Sequence, residues 1–117
     1  MYYNDQPADM ILYEGLACRE TGREERALSR FHRLVSYGEK HYYDRVEIDY
    51  FAVSLPDLQL FEEDLTRRNR IHCDYLIALG SCGLGDTERA KRHFRAVLDA
   101  DPAHQGAILH SRTILGL

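Results

Sequence analysis

An all-α fold of antiparallel helical hairpins is predicted for this chain by three observations. First, GREERALSRF at 22–31 and GDTERAKRHF at 85–94 agree at five of ten positions (Gly, Glu, Arg, Ala, Phe), sixty-three residues apart. Second, the apolar residues around both copies recur at helical steps of three and four. Third, Pro7, Pro56 and Pro102 each precede an amphipathic stretch, where a missing N–H breaks no helical hydrogen bond.

Helix starts are accordingly expected near residues 7, 57 and 102, the last with Asp101 as its N-cap. After Pro7, the residues Ala8, Ile11, Leu12, Gly15 and Leu16 make one apolar face, and Gly22 ends it as a C-terminal glycine does. Ala27, Phe31, Leu34 and Val35 then define a second helix. Ile71, Tyr75, Ala78, Leu79 and Cys82 repeat the first pattern, Gly85 breaks it, and Ala90, Phe94, Val97 and Leu98 repeat the second. Between the copies, Val46, Ile48 and Tyr50 alternate like a strand, while Tyr43, Val46, Tyr50 and Val53 step like a helix. In an all-helical setting a short helix is favoured there. From Asp57 to Leu79 there is neither Pro nor Gly, so one long helix can run into the second copy. Ala107, Ile108, Ser111, Ile114 and Leu115 make a last amphipathic helix that caps the final hydrophobic face.

One helix pair cannot bury two apolar faces, so copies stack and each covers the next. The shared letters are the parts that stacking needs: glycine for the turn, alanine for close helix approach, phenylalanine to fill the space between pairs. These residues resemble the tetratricopeptide repeat, a helix–turn–helix unit of about 34 residues. With a unit starting at Ile71, Ile77 and Ala78 take the packing positions of the first helix, Gly85 the turn, Ala90 and Phe94 the second helix, and Pro102 the terminal proline. A unit starting at Ala8 matches with Gly15, Gly22, Ala27 and Phe31, but has Glu39 where proline is usual. Both units lack the bulky aromatic residue near the fourth position, having Ile11 and Asp74 there.

The resemblance implies one domain over 1–117: a first repeat at 8–41, a degenerate or inserted unit at 42–70, a second repeat at 71–104 and a capping helix at 105–117. The implied architecture is a tetratricopeptide-like α-α superhelix. The string SLPDLQLFEEDLTRRNRIHC is also similar to the C-terminal region of large bacterial proteins that join such repeats to a β-rich domain of unknown function. That likeness implies an accessory role in a larger carbohydrate-active protein, and fits a helical pattern that Leu117 closes without a cap, as in a piece of a longer chain.

Net charge is −4 over 117 residues, which gives the whole chain no attraction to nucleic acid or anionic lipid. No apolar run approaches the roughly 20 residues of a membrane span. The opening MYYNDQPADM lacks the regions of a signal peptide, and three cysteines with no CxxC pair point to free thiols in a reducing compartment, so a cytoplasmic location is expected.

No catalytic constellation is found. Cys73 and Cys82 fall on opposite sides of one helix, His104 and His110 are out of phase, and no zinc spacing occurs, so packed thiols and histidines on wet faces are expected, with no metal and no cofactor. Glu62, Glu63 and Asp64 read as a solvated face paired to Arg67 and Arg68 at i, i+4. Arg67, Arg68 and Arg70 are the one basic cluster, nearly cancelled by those acids. The expected function is therefore non-catalytic binding of a protein, a peptide or another domain of the parent chain. By resemblance, the binding surface is concave and carried by first helices: Asp9, Leu12, Leu16 and Arg19 in one unit, His72, Tyr75, Leu79 and Cys82 in the other. Of these only Arg19 could grip a C-terminal carboxylate. An aliphatic, tyrosine-lined groove suits an apolar segment or helix, or the groove is filled by the middle unit or an adjoining domain.

Overall fold

The structure, a computed structural model, describes residues 8–45 and 55–115, with the backbone alone for 8–11, 55–59, 114 and 115. Five helices follow in order: α1 (Ala8–Glu20), α2 (Glu24–His41), α3 (Leu55–Leu84), α4 (Thr87–Ala100) and α5 (Gln105–Leu115). No strand occurs among the described residues, so the fold is all-α. The ambiguous segment around Val46–Val53 lies outside them.

Each helix packs on its sequence neighbour. In addition α1 touches α3, and α3 touches α5, whereas the backbones of α2 and α4 stay apart and the Arg89 guanidinium of α4 reaches across to donate to the Glu39 carboxylate of α2. The odd-numbered helices thus form a continuous row, with α2 and α4 each seated against two members of it.

The duplicated decapeptides build duplicated turns. Gly22 and Gly85 have φ of 81° and 83°, a left-handed backbone that a Cβ disfavours. Around the first, Arg23 N–H donates to Cys18 O (2.7 Å) and Gly22 N–H to Arg19 O (3.2 Å). Around the second, Asp86 N–H donates to Ser81 O (2.9 Å) and Gly85 N–H to Cys82 O (3.2 Å). Both are Schellman closures, which satisfy carbonyls that the helix end would leave unpaired. The copies differ at one cap: the Asp86 carboxylate accepts from Arg89 N–H (3.2 Å), while Arg23 supplies no side-chain cap.

Ala27 and Ala90 are fully buried, as are Phe31 and Phe94. Phe31 lies against α1 and α3 at once: a Cβ added at Gly15 would sit 2.5 Å from its ring, and one added at Gly83 would also strike it. α2 and α3 approach closely enough that a Cβ at Gly38 would lie 2.7 Å from Cys73 O, and one at Gly80 would lie 2.7 Å from Phe31 O. Phe94 meets the edge of Tyr75 on α3 (centroids 6.4 Å apart) and shares a cleft lining with Ile108 of α5. The second ring therefore occupies against α3 and α5 the place that the first occupies against α1 and α3.

Two local expectations are corrected. α5 begins at Gln105, the first residue expected for the capping helix, but the start near Pro102 with Asp101 as its N-cap is corrected, because Asp101 is committed to the turn: its N–H donates to Val97 O (2.7 Å) and its carboxylate accepts from Ala103 N–H (3.2 Å). His104 is the cap instead, its Nδ1 accepting from Ala107 N–H (3.1 Å). On α3, Asp64 pairs with Arg68 as expected (3.0 Å), but Glu63 does not pair with Arg67 among the described residues, and the Arg67 guanidinium lies 4.0 Å from Asp64 instead. The Arg67 guanidinium turns to α4 and donates to Ala100 O (3.2 Å).

Removing the Phe94 ring is expected to cost about 3–5 kcal/mol in a Phe94→Ala variant, measured by urea denaturation; a variant that unfolds like the parent would contradict the wedge role. Gly85→Ala meets nothing within 4 Å, so its cost is purely that of the left-handed backbone. The same measurement should show a loss of about 1–2 kcal/mol.

Candidate functional site

The row α1–α3–α5 is where the predicted surface residues fall. Leu12, Tyr75 and Leu79 are buried in the core rather than lining an open surface, and Leu16 and Cys82 are half-buried against it. Asp9 lies in the first turn of α1, its side chain outside the described set. Arg19 is spent on structure: its guanidinium stacks 4.9 Å over the Phe31 ring, donates to Gly83 O and lies 3.7 Å from Glu24. A cation so engaged is a clasp between α1, α2 and α3. His72 remains at the surface, half-buried.

What buries Tyr75 is α5, folded back onto the row. The Tyr75 ring lies 4.7 Å from the His104 ring and 6.4 Å from that of His110, and Gly106 passes its hydroxyl too closely for any Cβ. His110 is 3% exposed, and its Nε2 lies 3.5 Å from the Tyr13 hydroxyl of α1. The expectation of histidines on wet faces is thus corrected. Of the six, only His32 is exposed: His104 and His110 lie against Tyr75, His93 against Asp74, His41 against Tyr37 and Asp44, and His72 is half-buried beside the α4–α5 turn. His110 carried no signal beyond a break in an apolar face, and sequence reasoning missed it.

Beside the row, a cleft of about 460 Å³ opens between α3 and the α4–α5 turn, lined by Arg67, Arg68, His72, Asp101 and His104. His104 accepts a backbone N–H at Nδ1, so in its neutral form the proton sits on Nε2. Burial, followed by the nearby His104, holds the His72 imidazole below its ordinary value of 6.5.

A second polar cluster also escaped the sequence. Asp74, buried in the apolar run of α3, accepts from the Tyr42 hydroxyl (3.4 Å) and lies 2.8 Å from His93 Nδ1 on α4. Burial, then the Asp74 charge, raises the Tyr42 phenol above its ordinary 10.0. Alongside, Asn69 donates to His41 O (2.9 Å) and fastens the end of α2 to α3. A carboxylate that orients an imidazole invites comparison with a catalytic dyad, which needs a nucleophile on the other ring nitrogen. Among the described residues no hydroxyl or thiol bonds to His93. Cys73 is buried and Cys82 half-buried, and each thiol is pushed up to about 11, mainly by burial. No three His, Cys, Asp or Glu side chains among the described residues are grouped to hold a metal ion. No described helix is long and apolar enough to cross a membrane.

Because the folded state resists protonating His72, the unfolded chain takes up that proton first as pH falls through 6.5. Stability should therefore decline on acidification from about pH 6.5 down to the folded value, with no contribution from His72 above that window. His72→Gln should shallow that decline in denaturant melts run from about pH 7 to pH 5. A proton-NMR titration placing the His72 midpoint at or above 6.5 would contradict it.

No family model matches the chain, and no solved structure matches it.

Proposed function

We propose that this chain is a non-catalytic binding scaffold built from tetratricopeptide-like repeats, and that it holds a segment of another protein, or another domain, along the α1–α3–α5 row. The proposal draws its architecture from the duplicated turn, alanine and phenylalanine and from the contact order of the helices. One observation carries the choice of surface. Among the described residues, two of the five exposed large hydrophobics lie on the outer members of the row, Tyr13 at 46% and Leu109 at 56% exposure. Half-buried His72 presents a polar group from α3 beside its cleft.

With Leu12, Tyr75 and Leu79 given to the core, the partner does not enter a deep groove. It lies across a shallow row with apolar anchors at two edges, the way an amphipathic helix is gripped by a few side chains. Tyrosine suits such a place, since it gives apolar area with a hydroxyl at the tip.

Crosslinking from extract would identify a partner, whose purified segment would then be titrated against the chain. Tyr13→Ala combined with Leu109→Ser should weaken that binding by about tenfold or more, as loss of interface anchors does. His32→Ala, on the exposed side of α2, should leave it unchanged. If the double variant binds as tightly as the parent, the row is not the binding surface.

A further inference from the structure

Two surfaces away from Tyr13, His72 and Leu109 complement one another in composition and charge. The first is the N-terminal half of α3. The ends of both neighbouring helices are marked on it: His41 O of α2 accepts from Asn69, and Ala100 O of α4 accepts from Arg67. Residues 55–66 therefore run past both helices, an overhang of about 18 Å at 1.5 Å per residue. It exposes Leu60 (66%) and Phe61 (47%) side by side. Residues 57–64 hold four acidic residues and no basic one. Of these, Asp64 is occupied by Arg68, while Glu63 is exposed and forms no ion pair among the described residues.

The second surface is a cleft of about 460 Å³ between α4 and α5. Leu98, Pro102 and Ile108 give it an apolar lining, and Lys91, Arg95 and Arg112 stand around it. None of these three cations forms an ion pair among the described residues, so the cleft keeps its positive charge unneutralised. An apolar pocket rimmed by free cations selects an apolar segment flanked by acids. The overhang has that composition.

We propose that the α4–α5 cleft receives the α3 overhang of a second copy of this chain, with Leu60 and Phe61 against the apolar lining and Glu63 facing the basic rim. The two surfaces differ, so the contact is heterologous. Each copy keeps one surface free after pairing, and association continues head to tail or closes into a ring. Opposite charges at the rim make it weaken with salt.

Sedimentation of the full chain across low to high micromolar concentrations tests this. Mass should rise beyond a dimer, and added salt should reverse the rise. Leu60→Ser/Phe61→Ser spoils only the overhang and Arg95→Glu/Arg112→Glu only the cleft rim. All four residues are exposed, so circular dichroism and melting should match the parent. Each variant alone should stay monomeric. An equimolar mixture should form a dimer and stop there, because only one intact overhang and one intact cleft remain to each pair. The proposal is overturned by a parent that stays monomeric throughout, including one whose cleft binds an acidic amphipathic peptide instead. It is equally overturned by a mixture that stays monomeric, or by either variant dimerising alone, which would place the contact elsewhere. Partner binding on the α1–α3–α5 row is read separately on the Leu60→Ser/Phe61→Ser variant, whose two residues lie away from Tyr13, His72 and Leu109.

Discussion

The Phe31 ring is the contact on which the described fold depends. It belongs to α2, yet it fills space that α1 leaves at Gly15 and α3 leaves at Gly83. Arg19 covers its face and reaches across to Gly83 O, so one cation caps the junction of three helices. A phenyl ring buried on all sides removes more water-exposed apolar surface than any aliphatic residue of the first unit. The glycines around it serve the same end: Gly38 and Gly80 bring the backbones of α2 and α3 together, which closes the space around the ring. Without that approach α3 would not be held at the level where Tyr75 can meet Phe94 and accept α5.

The second unit repeats this arrangement with a different neighbour. Phe94 stands sixty-three residues after Phe31 and is as deeply buried, but the helix that closes over it is α5. Folding back onto α3, α5 brings two histidines against Tyr75 and draws one of them to Tyr13. The same movement that completes the core consumes the inner face of the row. Closing the core over Phe94 and keeping a deep groove are competing demands on one helix, and here the core wins.

That competition explains what could be read from the letters. Helical phase, the two glycine turns and the buried alanines and phenylalanines follow from spacing, because each depends on residues within a few turns of one another. The long α3 was legible for the same reason: Asp57–Leu79 contains nothing that stops a helix. The start of α5 was not, since Asp101 had two local partners to choose from and spent itself on the turn. Leu12, Tyr75 and Leu79 lie on the face expected to bind, and spacing within one helix does not tell which of its residues the rest of the core will bury. Asp74 and His93 meet across two helices nineteen residues apart, a pairing that only the packing angle decides. The one available sign was a carboxylate inside the apolar run CDYLIAL, which a buried partner had to satisfy.

α3 is also what gives these separate surfaces a fixed relation. It contacts every other helix, and its thirty residues serve first as an arm running past the ends of α2 and α4 and then as the spine of the second hairpin. Sharp kinks arise at proline, at glycine or serine pairs, or where the hydrogen-bond ladder is interrupted. Pro56 is in the first turn, where it interrupts nothing, and Gly80 is pressed against α2. Asn69 and Arg67 then tie the spine to the last carbonyls of α2 and α4, near the level where the arm leaves the bundle. The arm is thus anchored at its root by two backbone-directed hydrogen bonds and continued as a rigid rod. An exposed leucine and phenylalanine on a flexible tail would lose much of any contact energy to ordering. On a rod already held in place, they do not.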